Sequence, residues 1–179
     1  MSQIRIDCRI RTGPLLEWAT FATDSFWGPE TDSMNYELFM AEAIAEARRG
    51  AEEGETPIGS VAVIDDAMIA RDHDRSALSE DPTAHAVLLT LQAAVRKLGP
   101  RRLTEATIFT THEPCAMCVG ALVEARVRAL VFAIADPERG AAGSVIQLAR
   151  EPSLGHQLSV VSGVRESEAR RLETESASV

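Results

Sequence analysis

The chain has 179 residues, 45% of them hydrophobic and 25% charged, enough for one good core and too few for two ordinary domains. No run approaches the roughly 18 consecutive apolar residues of a membrane span, and the opening MSQIRIDCRI is charged where a secretory leader needs an unbroken apolar stretch, so a cytoplasmic protein with no membrane partner is expected. Lys and Arg number 18 against 27 Asp and Glu, a net charge of −9, which speaks against a general electrostatic grip on nucleic acid but leaves room for a local basic patch.

Residues 1–33 differ in composition from the rest. Trp18, Phe21, Phe26 and Trp27 are half of all the aromatics, and Gly13-Pro14 and Gly28-Pro29 punctuate the segment. Ile4, Ile6, Cys8 and Ile10 alternate as in an edge strand, and Met34 stands where a shorter chain could begin. We read this segment as an extension of unassigned role and residues 34–179 as the domain.

From Tyr36 the apolar spacing predicts a helix to Gly50, after which Pro57 opens the strand IGSVAVI. Asp65-Asp66 predicts a turn into a second strand, Ala67 to Arg71. Asp81-Pro82-Thr83 introduces a helix from about Ala84 to Leu98, closed by Gly99-Pro100. A strand (Ala106 to Thr111), a helix beginning at Pro114-Cys115, a strand (Ala129 to Ile134), a GAAGS loop, a strand near Gln157 to Val161 and a charged C-terminal helix follow. Strands alternating with helices imply a three-layer α/β/α domain.

The chemical signal is concentrated in His85 and Pro114-Cys115-Ala116-Met117-Cys118. Three cysteines are an odd count, and C-x-x-C spacing in a reducing compartment reads as metal or redox chemistry rather than as a disulfide framework. Two thiols three residues apart share one side of a helix start, where the helix dipole favours thiolates. With His85 they make a three-ligand set that leaves a tetrahedral Zn2+ one open position for water. Alone, the cysteines fit a redox pair or half of a zinc knuckle, and His85 fits an ordinary capping or core histidine; no second C-x-x-C exists to complete a knuckle.

The segments ETPIGSVAV, DPTAHA, EPCAMCVGA and DPERGAAGS, together with the H-x-E and P-C-x-x-C framework they echo, resemble the zinc-dependent cytidine and tRNA-adenosine deaminases. The resemblance spans about residues 35 to 165 and is nearest to the bacterial tRNA adenosine deaminases. It implies a mixed five-stranded sheet with helices on both faces, zinc ligands His85, Cys115 and Cys118, substrate-binding positions at Asp74, Pro57, Ala84 and Thr83, and a dimer packed through the helix after Cys118.

The chain also departs from that pattern. The family's catalytic glutamate lies two residues after the histidine, where this chain has Val87. That carboxyl moves protons in more than one step, and valine can move none. Asp74 stands where the tRNA enzymes usually carry asparagine, and an ionised acid cannot donate a hydrogen bond. His112 occupies a commonly apolar position, which makes it, with Glu113, a candidate substitute proton carrier. Glu55 matches an acid at the site mouth. The C-terminal segment VRESEARRLETESASV has no aromatic and no lysine, whereas the resembling tRNA enzymes usually grip the anticodon stem with a basic, aromatic helix. Arg48-Arg49 and Arg101-Arg102 read as solvated surface.

Three readings follow: a degenerate or repurposed deaminase acting on or binding a purine- or pyrimidine-like small molecule or RNA; a non-catalytic partner of an active deaminase, as a heterodimer rather than a homodimer; and an ordinary deaminase carrying an inactivating Glu-to-Val change.

Overall fold

The computed structural model describes residues 34–177; the strand expected over Ile4 to Ile10 and the aromatic cluster before residue 33 lie outside them. Helix α1 (Tyr36–Glu52) starts where the Asn35 side chain accepts from the Leu38 N–H at 3.0 Å. It buries Phe39, Met40, Ala43, Ile44 and Ala47, a spacing that keeps one face against the sheet. Strand β1 (Gly59–Ile64) is buried throughout, so both its faces are packed. It turns at Asp65 and Asp66, with φ of 49° and 54°, the left-handed pair that a two-residue hairpin requires, into β2 (Ala67–His73).

Helix α2 (Ala86–Leu98) begins two residues later than the sequence suggests, because residues 81–85 fold into a tight turn in which Ala84 N donates to Asp81 O and His85 N to Thr83 O. Gly99 ends it with a φ of 77°. Strand β3 (Thr107–His112), helix α3 (Ala116–Glu124), strand β4 (Ala129–Ile134), strand β5 (Ser159–Ser162) and helix α4 (Glu166–Ser176) complete the described fold.

The sheet order is β2-β1-β3-β4-β5. The first three strands pair antiparallel, while β4 and β5 run parallel to β3, so the sheet is mixed. Alternation along the strands separates two cores. Ala62, Ile108, Leu130 and Phe132 face α2 and α3, with Leu91, Val119 and Leu122 among the packed residues; Val61, Val63, Phe109 and Val131 face Met40, Ile44 and Leu172 of α1 and α4. Each such fully buried large side chain contributes roughly 1.5–3 kcal/mol. Gly59 is required by close packing: a Cβ there would lie 2.1 Å from the Ala43 carbonyl oxygen of α1. This contact brings the start of β1 close under the first helix. Among the described residues no helix is long and apolar enough to cross a membrane.

Candidate metal centre and its cavity

The chemistry collects where the C-terminal end of β3 meets the N-termini of α2 and α3. His85 is the N-cap of α2 and Cys115 the N-cap of α3, both with extended backbone, so each side chain leaves its helix from the end with unpaired N–H groups. Cys118, one helical turn on, stands on the same side. His85 Nδ1 is 3.6 Å from Cys115 Sγ and 3.5 Å from Cys118 Sγ, and the two sulfurs are 3.8 Å apart. A tetrahedral zinc with sulfur at about 2.3 Å and nitrogen at about 2.0–2.1 Å needs S···S near 3.8 Å and S···N about 3.5–3.6 Å. The spacing of the donor set therefore fits the ion. No other group of three His, Cys, Asp or Glu among the described residues is arranged to hold one.

The thiols are unequal. The Cys115 thiol is drawn down to about 4, first by the hydrogen bond from Cys118 and then by backbone N–H groups and the His85 charge, while that same bond and burial push Cys118 up. One proton shared between two sulfurs is what this describes.

Above the cluster lies a cavity of about 140 Å³, close to the 150 Å³ or so known to admit a benzene ring. Its base is His85, Cys115, Cys118 and Val87, and its sheet-side wall is Thr110 and His112. Val87 is 3% exposed and belongs equally to the core under α2.

A family model of MafB19-like deaminases matches residues 34–167. This chain belongs to the MafB19-like deaminases. It is 46% identical over 132 residues to the tRNA-specific adenosine deaminase of Bacillus subtilis (strain 168), covering 74% of this chain and 82% of that one. A chain solved in a study of A-to-I editing by tRNA:A34 deaminases at the wobble position of transfer RNA superposes with a TM-score of 0.72 and 39% identity over 75% of this chain and 98% of its own. The guanine deaminase of Bacillus subtilis superposes with a TM-score of 0.56 and 37% identity, covering 62% and 71% respectively. The mixed five-stranded sheet and its helices are the deaminase fold.

Within this deaminase framework the residues singled out by sequence separate into those that line the cavity and those that build its frame. Asp74 lines it; the residue is 4% exposed, and its Oδ1 accepts from Ser76 N at 3.0 Å and Ser76 Oγ at 2.5 Å. Its charge is among the causes that raise Cys118, and that of Arg139 acts against it. Pro57, Thr83 and Ala84 are not part of the wall. Thr56 and Ile58 flank Pro57 and line the cavity in its place. Thr83 is exposed and donates through N and Oγ1 to Asp81 Oδ1 at 2.8 and 2.7 Å, and the Ala84 carbonyl accepts from Arg75 N at 3.0 Å. Thr83 and Ala84 shape the chain entering α2, and Pro57 stands ahead of β1.

Glu55 and Glu113 are buried carboxylates with structural work. Glu55 accepts from the backbone N–H groups of Ala77 and Leu78 at 3.1 and 2.7 Å, holding the turn after Asp74. Glu113 accepts from Ala142 N and Ser144 N at 3.0 Å, from Asp136 N at 3.1 Å and from the Ser144 hydroxyl. A Cβ on Gly140 would come within 2.5 Å of that carboxyl, so the GAAGS loop is wrapped around Glu113. His112 is held differently: its Nε2 is 3.0 Å from Glu173 Oε1 of α4.

Sequence reasoning passed over Thr110, Ser76 and Asp136 in the wall and Glu173 behind it. Nothing in the local pattern marks Glu173.

Proposed function

We propose that this chain holds Zn2+ through His85, Cys115 and Cys118 and binds a purine- or pyrimidine-like base above it, with ordinary hydrolytic deamination strongly impaired. Bound there, zinc supplies Lewis-acid chemistry and lowers the pKa of water. Val87 carries the reading: it lines the cavity beside the metal ligands and presents methyl groups where the resemblance implies a carboxyl. The carboxyl nearest to Cys115 along the chain is already committed. Glu113 has both oxygens engaged by Asp136, Ala142 and Ser144, and Asp136 Oδ1 accepts from Glu138 N and Arg139 N at 2.9 and 3.0 Å. His85 and the thiols position the cation, the Val87 methyls give the base an apolar surface, and Asp74 offers an acceptor in place of an amide.

The relatives support a base-shaped ligand, since they include tRNA adenosine and guanine deaminases. The reading includes a pair of copies meeting through the α3 side, where Met117 is exposed. The test is ammonia release from nucleobases, nucleosides and tRNA by the zinc-loaded chain beside Val87→Glu. We expect the unmodified chain to run at least about 10,000-fold slower than a glutamate-bearing relative, roughly 5.5 kcal/mol in the barrier, and Val87→Glu, with Asp74→Asn where the substrate contact is also lost, to recover measurable release; release by the unmodified chain at about 1 per second or faster would overturn the reading.

A further inference from the structure

Ser76, His85 and Arg139 line the cavity and also line a second hollow of about 470 Å³, whose other walls are Ala77, Glu80 and Pro82. The two hollows therefore adjoin, and a group attached to a ring in the cavity has this shelf to lie on. Arg139 is the one arginine or lysine in either lining. Its backbone is fixed, because Asp136 Oδ1 accepts from Arg139 N at 3.0 Å and the Asp136 carbonyl accepts from Gly140 N at 3.0 Å. The Arg139 side chain is exposed and, among the described residues, makes neither an ion pair nor a side-chain hydrogen bond. Arg165 and Arg170, by contrast, are paired with Glu168 and Glu166. The Arg139 charge is felt inside the cavity, where it acts on the Cys118 thiol against the rise that Cys115 and burial cause. On the same shelf Glu80 presents a carboxylate, and Ala77 and Pro82 an apolar surface. A guanidinium only donates and a carboxylate only accepts, so the matching ligand carries an anion for the one, hydroxyls for the other and a carbon skeleton for the apolar part. A sugar phosphate has all three, and a free base has none of them.

We propose that the ligand of this site is a nucleoside monophosphate, with its base in the cavity, its sugar and phosphate on the shelf, and Arg139 as the specificity-determining residue that binds the phosphate. This rests on the reading that the cavity takes a base, and it narrows that ligand to a mononucleotide. A polynucleotide strand would bring many phosphates against a chain of net charge −9, whereas one unpaired guanidinium in the two linings matches one phosphate.

The test is calorimetric titration of the zinc-loaded full chain with adenine, adenosine and AMP, with cytosine, cytidine and CMP, and with a short single-stranded RNA carrying both bases. In the series whose base fits, the monophosphate is expected to bind about tenfold more tightly than the nucleoside. That ratio should fall toward one in Arg139→Ala and Arg139→Gln and be largely kept in Arg139→Lys. Raising the salt should weaken monophosphate binding and leave nucleoside binding unchanged. A monophosphate that binds no better than its nucleoside, a ratio unchanged in both neutral variants, or RNA binding more tightly than either monophosphate would overturn this inference and leave the base-binding reading intact. Binding of no base, nucleoside or monophosphate in either series would overturn both.

Discussion

His112 and Glu113 are neighbours in the chain and opposites in their bonding. The Glu113 carboxylate is saturated by backbone and hydroxyl donors from the loop at 136–144, whereas His112 has one nitrogen tied to α4 and the other buried without a partner. Both line one cavity. A carboxyl close to a metal cluster is therefore not by itself a proton carrier; what decides is whether its lone pairs are already used. The half of the site around Glu113 is a frame whose acceptors are already used, and the half formed by His85, Cys115 and Cys118 is a donor set with the spacing of a cation site.

Removing the metal should have the largest effect, because it acts on the donor set. At free zinc about 1,000 times the dissociation constant, the ion stabilises the fold by about 4 kcal/mol, and Cys118→Ser or exhaustive chelation should remove this, as read by denaturant titration with and without zinc. A melting profile indifferent to zinc would place the cluster in the frame instead.

Next comes Glu113→Ala, which strips the acceptor from three backbone N–H groups, that of Ala142 buried, and is expected to cost about 1–3 kcal/mol. The loss should appear in the metal-free protein as well. A variant as stable as the parent would show that the loop does not depend on the carboxyl.

The smallest effect is a contrast between two threonines. Thr110 Oγ1 is unpartnered, so Thr110→Val should leave the ligand-free protein unchanged or more stable by up to about 1 kcal/mol. Thr90 Oγ1 donates to the Ser60 carbonyl at 3.1 Å, so Thr90→Val should cost about 1 kcal/mol. Equal costs at the two positions, measured by chemical denaturation, would remove the distinction between open and finished polar groups.

Much of this was legible in order along the chain. Hydrophobic period, the Asp65-Asp66 turn and Gly99 are local signals, and they placed β4 at Ala129–Ile134 and the other described elements within a few residues. The donor set was also legible, since two thiols at a helix start and a histidine at another are the residue types that a tetrahedral site uses. The N-cap positions of His85 and Cys115 turn that composition into spacing. Val87 was visible only against the family's pattern, because a valine in the first turn of an apolar helix is otherwise unremarkable.

What sequence determined by itself is thus whatever depends on neighbours along the chain: the elements, their turns, and which residues have the chemistry to ligate a cation. Tertiary structure alone decided how that chemistry is spent. It set Thr56 and Ile58, rather than Pro57, in the wall, closed the loop at 136–144 around Glu113, and brought Glu173 from the last helix to His112. The physical reason is that hydrogen-bond satisfaction is a property of three-dimensional neighbours. A side chain's identity states how many bonds it can make, and only the fold states how many are left to make.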